Sequence, residues 1–146
     1  MRVSVVNLHR GYGVNSSLVK RAVVSALNGC GRRGSSEIEI VFLTDKQIRS
    51  LNKRYKGEDS PTDVLSFDLD GTAEIFISID KAGENSKLFK TTPGKEVTLY
   101  IIHGILHLAG YDDLTPKDRA RMESRQDKIL EAICKRENLS KVLTPR

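Results

Sequence analysis

The sequence predicts a single α/β (α+β) domain in which a mixed sheet of about four strands is packed by about five helices. The chain has 146 residues, of which 38% are hydrophobic and 29% charged, and this balance suits one globular domain with a real core. Short strand patterns alternate with longer stretches of helical spacing. Because no repeat or linker interrupts them, we expect one domain over residues 1–137 and a frayed, flexible tail over 138–146.

The first half of the chain predicts strand, helix, strand and helix in that order. Apolar residues at helical spacing follow a capping serine, and glycines from Gly29 to Gly34 end this helix in a loop. Thr44 and Gln47 have the form of a capping box, which opens the second helix. The segments are Val3–Leu8, a helix from Ser16 or Ser17 to about Asn28, Ile38–Phe42, and a helix from Thr44 to about Gly57.

The second half predicts two strands and then helices. Asp70-Gly71 between the strands is a strong hairpin signal. Thr92 and Thr115 are each followed by a proline, as at many helix starts, and Asp118 completes a second capping-box pattern. The segments are strands Val64–Phe67 and Glu74–Ile79, an ambiguous stretch Lys81–Thr92, a helix from Pro93 to Ala109, and a polar helix from Pro116 to about Arg136.

Composition and charge narrow the class of protein. No apolar run approaches the roughly 20 residues of a membrane span, and the first residues lack the apolar region of a signal peptide, so we expect a cytoplasmic protein without a membrane partner. The net charge of +5 and the pI of about 9.3 weakly favour a polyanionic partner. Cys30 and Cys134 form no zinc-type pair, and we interpret them as idle thiols.

The helix from Pro93 to Ala109 carries two of the three histidines. His103 and His107 project from one face, one turn apart, so two imidazoles can reach one metal ion. The helix is apolar almost all round and should be buried. Two hydrogen-bonded core histidines are the alternative interpretation, but Gly110 can reverse the chain and bring Asp113 back to the same ion. Three protein ligands with an open fourth position are typical of catalytic zinc.

The same spacing occurs in the zinc-peptidase pattern H-E-x-x-H-x-x-G-x-x-H. The general base of that pattern is the glutamate after the first histidine, and here this residue is Gly104. Glycine cannot accept a proton from a metal-bound water, so the substrate need not be a peptide.

Two longer motifs resemble those of a known family. His103–Asp112, H-G-I-L-H-L-A-G-Y-D, is similar to the signature H-G-x-L-H-L-x-G-Y-D-H of the YbeY endoribonucleases, the bacterial rRNA maturation factors. Leu51–Phe67 is similar to the family's L-N-x-x-Y-R-G-x-D-x-P-T-D-V-L-S-F. The resemblance covers most of the chain. It implies a zinc-dependent endoribonuclease that cuts single-stranded RNA, matures the 3′ end of 16S rRNA and contributes to ribosome quality control, with rRNA and ribosomal particles as partners.

The resemblance also implies roles for individual residues, with two departures. His103 and His107 match the first two zinc ligands, whereas the third ligand, a histidine in the family, is Asp113 here. A carboxylate can still bind zinc, although it favours harder ions such as Mn²⁺, and Asp112 is an alternative ligand. Lys56 replaces a functionally important arginine and loses its bidentate fork. We expect Lys56 to contact phosphate as a catalytic residue, with a solvated loop lysine as the alternative.

Several alternatives stay open. The protein could be a metal-dependent hydrolase of another substrate, or a ribosome- or RNA-binding factor whose metal is mainly structural. No general base is evident, although Asp112 is within reach, and the 2′-OH of the RNA could be the nucleophile. Asp63 either orients a metal ligand or caps a turn. Tyr111 either stacks on a base or packs at the helix end.

Overall fold

The structure, a computed structural model, describes residues 2–31 and 37–146, so that the predicted loop glycine Gly34 lies outside the described residues. These residues form five α-helices, six strands and one short 3-10 helix. In chain order they are β1 (Arg2–Asn7), β2 (Tyr12–Val14), α1 (Ser16–Cys30), β3 (Glu37–Leu43), α2 (Asp45–Lys56), β4 (Val64–Leu69), β5 (Thr72–Ser78), α3 (Ile79–Phe89), α4 (Pro93–Leu108), α5 (Pro116–Cys134), the 3-10 helix Leu139–Lys141, and β6 (Leu143–Pro145).

Four of the strands form a mixed sheet in the order β1-β3-β5-β4. Strands β1, β3 and β5 are parallel, with Val5 opposite Ile40 and Ile40 opposite Ile75, and β4 is antiparallel to β5. Gly71 in the β4–β5 turn has a φ of 78°, as the Asp-Gly signal predicts. A single domain with a mixed four-stranded sheet and five helices confirms the predicted fold class.

Side chains alternate between the two faces of this sheet, and the faces are covered unequally. Ile40 and Phe42 of β3 contribute to a large core that also contains residues of α1, α4 and α5. Val41 of β3 points to the other face, where it forms a small cluster with Ile48 of α2. The strand period of two thus produces a three-layer arrangement in which the larger layer of helices includes α4.

Helix α4 is the buried centre of the fold, as its apolar sequence predicts. Ten of its 16 residues are buried, and it contacts α1, α3, α5, β4 and β5. It begins after Thr92, whose hydroxyl accepts the Lys95 N–H at 3.2 Å. Gly110 follows the C-terminal end of the helix and has a φ of 96°. Its N–H donates to the His107 carbonyl at 3.1 Å, and the Tyr111 N–H donates to the Leu106 carbonyl at 3.0 Å. This Schellman pairing fixes where the chain leaves the helix.

The residues after α5 correct the prediction of a frayed tail over 138–146. Strand β6 pairs antiparallel with β2, and three apolar side chains that follow Asn138 are buried: Leu139, Val142 and Leu143 at 4%, 1% and 5% exposure. Gly94 of α4 lies directly against the backbone of Leu139. The domain therefore continues beyond residue 137. Strands of three residues are too short to give a recognisable sequence pattern, and β2 and β6 are identified only by their pairing in the structure.

The helix caps and one ambiguous segment agree with the predictions only in part. The capping box at Thr44 is formed, with the Gln47 N–H at 3.2 Å from the threonine hydroxyl. The ambiguous stretch after β5 is mostly the helix α3. Asn15, rather than Ser16 or Ser17, caps α1. None of the helices in the described part of the chain has the length and apolar character needed to cross a membrane.

Candidate active site

The last turn of α4 presents two imidazoles that face each other. Nε2 of His107 lies 3.0 Å from Nε2 of His103, and the ring planes are inclined by 76°. Two nitrogens bound tetrahedrally to one zinc ion at about 2.0–2.1 Å are about 3.3 Å apart. The structure thus brings the two predicted histidine ligands together at nearly the spacing that one ion requires.

The other ring nitrogen of His103 is bonded to a neighbouring helix. Nδ1 of His103 lies 3.0 Å from Oε1 of Gln126 in α5. Gln126 was not identified from the sequence, although a signal was present. It lies four residues after Met122 and three before Ile129, both buried, and a polar side chain on such an apolar stripe needs a partner.

The surroundings of His107 favour its neutral ring. Burial is the largest effect and lowers the pKa of His107, and the nearby charges of His103 and Lys56 act in the same direction, whereas Asp113 and a hydrogen bond with the Tyr111 backbone oppose them. A histidine must be neutral to bind a metal. The lowered pKa therefore favours the neutral ring at neutral pH.

Asp113 lies in the loop after α4, where its charge raises the pKa of His107. It borders a pocket of about 150 Å³, here called the Asp113 pocket. The pocket is lined by His103, Asp113, Arg119, Met122, Glu123 and Gln126. Within residues 2–31 and 37–146, no three His, Cys, Asp or Glu side chains are arranged to hold a metal ion, so Asp113 as the third ligand stays a prediction. Asp112 accepts the Leu114 N–H at 3.2 Å in a local turn.

A second pocket of about 290 Å³ opens beside the two histidines. This histidine pocket is lined by Lys56, Thr62, Asp63, Val64, Ser66, His103 and His107. Lys56 is the last residue of α2 and is exposed, and Gly57 with a φ of 72° turns the chain away from the helix. The structure thus places the predicted phosphate-contacting lysine beside the histidine pair.

The loop that follows Lys56 is fixed by polar contacts to α2. The buried side chain of Asn52 donates to the Ser60 carbonyl at 3.0 Å, and Arg49 pairs with Asp59 at 2.8 Å. Asp63 accepts the Val64 N–H at 2.8 Å, which supports the turn-capping interpretation of Asp63. These contacts hold the wall of the histidine pocket against the end of α2.

Gly104 lies where α4 packs on the sheet. Ser66 Oγ donates to the Gly104 carbonyl at 3.3 Å, and a Cβ on Gly104 would lie 2.8 Å from Ser66 Oγ and 3.0 Å from Cγ2 of Ile75. A glutamate at this position, as in the zinc-peptidase pattern, has no room. The packing therefore argues against the peptidase alternative on steric as well as chemical grounds.

Two other side chains considered from the sequence serve the fold. His9 lies outside both pockets, where its Nε2 is 2.8 Å from Asp80 Oδ1 and its Nδ1 accepts the Gly11 N–H at 3.0 Å. Tyr111 packs against the main core, and the Arg121 guanidinium lies 5.1 Å from the centre of its ring. This favours the packing interpretation of Tyr111.

Comparison with known proteins gives consistent results. The family model for Endoribonuclease YbeY matches residues 13–134. The chain is 36% identical over 124 residues to the Endoribonuclease YbeY of Chlorobium luteolum, covering 82% of this chain and 90% of the relative. It is 34% identical over 149 residues to that of Desulforamulus reducens, covering 91% and 97%. The solution structure of TM1509 from Thermotoga maritima aligns with a TM-score of 0.63 and 30% identity, over 91% of this chain and 89% of that chain.

Proposed function

The chain belongs to the YbeY endoribonuclease family, whose members are hydrolases of RNA phosphodiester bonds that act in rRNA processing, and from this we propose that it is a zinc-dependent endoribonuclease specific for single-stranded RNA. We place its action in the cytoplasm, in the 3′-end maturation of 16S rRNA and in ribosome quality control, with ribosomal particles as partners. The observation that carries the proposal is the facing pair of Nε2 atoms of His103 and His107 beside Lys56.

The facing pair of imidazoles and the nearby carboxylate supply the ligand types that zinc takes. His103 and His107 would hold it through Nε2, and the carboxylate of Asp113 would be the third ligand, which leaves an open position as in other catalytic zinc sites. When bound, such an ion supplies Lewis-acid stabilisation of phosphate oxygens and a more acidic water. Another divalent ion such as Mn²⁺ is compatible with the carboxylate of Asp113.

The protein's own contribution to substrate binding is positive charge beside the histidines. Lys56 lies close enough to His107 for its charge to lower the pKa of that ring, and in the proposal its ammonium group binds the scissile phosphate and stabilises the charge that develops there. Arg119 borders the Asp113 pocket, which His103 also lines, so a second basic side chain lies near the histidines. The net charge of +5 favours the approach of RNA.

The test compares matched single-stranded and double-stranded RNA oligonucleotides of one sequence. We expect cleavage of the single strand, its loss after treatment with a chelator, and its recovery when zinc is restored. The product ends identify the nucleophile, because attack by the 2′-OH leaves a 2′,3′-cyclic phosphate and attack by water does not. Cleavage that survives complete metal removal, or that is equal on duplex RNA, would contradict the proposal.

A second candidate is an RNA-binding factor whose metal only stabilises the fold. It is favoured by the replacement of two family residues by Lys56 and Asp113. For that function, metal removal lowers the melting temperature, no cleavage is found under any condition, and RNA binding persists with a steep salt dependence.

A further inference from the structure

We propose that Gln126 is a positioning residue, which holds His103 in the tautomer whose Nε2 lone pair points toward His107. The inference rests on the proposed function, because it concerns how this chain prepares one of the two histidines for a metal ion. It is carried by the contact of 3.0 Å between Nδ1 of His103 and Oε1 of Gln126.

The chemistry of the amide determines which ring nitrogen bears the proton. An amide oxygen only accepts hydrogen bonds, so its contact with Nδ1 places the imidazole proton there and leaves Nε2 with a free lone pair. That nitrogen lies 3.0 Å from Nε2 of His107, so in the metal-free protein the proton of their contact is on His107, and it would be released when an ion binds. A histidine that donates its second N–H to an oxygen acceptor is the common arrangement around protein-bound metals.

The opposite orientation of the Gln126 amide would prevent His103 from binding a metal ion through Nε2. If the amide nitrogen of Gln126 donated to Nδ1, the proton of His103 would move to Nε2 and be donated to His107, so His103 would offer no lone pair to an ion. Gln126 therefore acts on the metal only through His103, because the orientation of its amide determines whether Nε2 of His103 has a lone pair or a proton.

The position of Gln126 suits this role because α5 is anchored in the core both before and after this residue. Met122 and Ile129 are buried in the main core at 2% and 5% exposure, and Thr115 caps the start of α5 by accepting the Asp118 N–H at 3.1 Å. Helix α5 also contacts α4 directly. The amide is thus presented to His103 from a fixed backbone.

Two substitutions separate hydrogen bonding from packing. Gln126→Glu keeps an obligatory acceptor, whereas Gln126→Met has similar length and no acceptor. Glu131→Met is the control, because Glu131 is an exposed carboxylate of the same helix outside the Asp113 pocket. With zinc alone and no RNA, we expect Gln126→Met to weaken zinc binding by roughly 10–100-fold, and Gln126→Glu and Glu131→Met to bind like the wild type. Thermal melting of each metal-free variant verifies that it is folded.

A second measurement does not need the metal at all. Long-range proton–nitrogen NMR spectra of the metal-free protein should show His103 protonated at Nδ1 in the wild type and in Gln126→Glu, and a mixture of tautomers in Gln126→Met. Protonation at Nε2 in the wild type, or unchanged tautomers and zinc affinity in Gln126→Met, would overturn the inference. A wild type that binds zinc through this network but does not cleave RNA would instead refute only the proposed function.

Discussion

Ser66 Oγ lies 3.3 Å from the carbonyl oxygen of Gly104 and donates a hydrogen bond to it, so the backbone of the helix that bears both histidines is bonded directly to a side chain of β4. This contact ties the position of α4 to that strand. Because Ser66 also lines the histidine pocket, the packing of the helix and the shape of the candidate site depend on the same position.

Gly104→Val should destabilise the protein by about 1–3 kcal/mol through overpacking, since even a Cβ at this position lies 2.8 Å from Ser66 Oγ. Gly83→Val in α3 is the matched control, because it introduces the same residue into a helix where a Cβ would have no neighbour within 4 Å. Urea denaturation measures both free energies of unfolding. Equal changes in the two variants would show that the close packing at Gly104 is unimportant.

His103→Ala and His107→Ala should each abolish zinc binding, because either change leaves one imidazole nitrogen at the site. Elemental mass spectrometry of the purified protein should find about one zinc per chain in the wild type. His9→Ala is the control, since His9 is bonded to Asp80 away from both pockets. Retention of zinc by both α4 variants would place the ion elsewhere.

Asp113→Ala should lower zinc affinity, and Asp113→His should raise it and shift the preference from Mn²⁺ toward zinc, because imidazole is the softer ligand. Competition titrations with the two ions measure both effects. Asp112→Ala serves as the comparison, as the Asp112 carboxylate is bonded to the Leu114 N–H. A larger loss in Asp112→Ala than in Asp113→Ala would assign the third ligand to Asp112.

Lys56→Ala should reduce kcat/KM for single-stranded RNA by roughly 100-fold, the size found when one donor to a developing anion is removed. Lys56→Arg should retain or exceed the wild-type rate, because its fork can hold a phosphate bidentately. Lys53→Ala, one turn earlier on α2, removes an equally exposed lysine whose nearest carboxylate, Asp59, lies at 4.0 Å. If the two alanine variants behave alike, Lys56 contributes only general charge.

Without metal, the folded protein should lose stability as the pH falls below about 6.5. The pKa of His107 is below its ordinary value of 6.5 in the folded state, chiefly because the ring is buried. The unfolded chain therefore binds a proton at a higher pH than the folded one, and the contribution of His107 is complete above pH 6.5 and lost below it. Urea denaturation in chelator at pH 7.5 and 5.5 measures this loss. An unchanged pH dependence in His107→Gln would assign the effect to other groups.

The part of the site that could be predicted from sequence is the part built by one helix. The spacing of His103 and His107 and the stop at Gly110 depend on local geometry, so the facing imidazoles follow from the pattern alone. The role of Gln126 could not be derived in this way, because it exists only when α5 docks on α4. For the same reason the pairing of β2 with β6 was missed, since neither three-residue strand is stable without the other.

The connections of the sheet also have a consequence for the rate of folding. Among the strands that the structure describes, only β4 and β5 are paired through a tight turn, and hairpins of this kind form in about 1–10 μs. The parallel pairing of β1, β3 and β5 requires closure of long loops, whose entropy must be lost before the contacts are gained. Since none of His103, Asp113 and Gln126 lies on the hairpin, we expect refolding to form the strand that bears Ser66 early and to assemble the metal ligands late, when α4 and α5 dock.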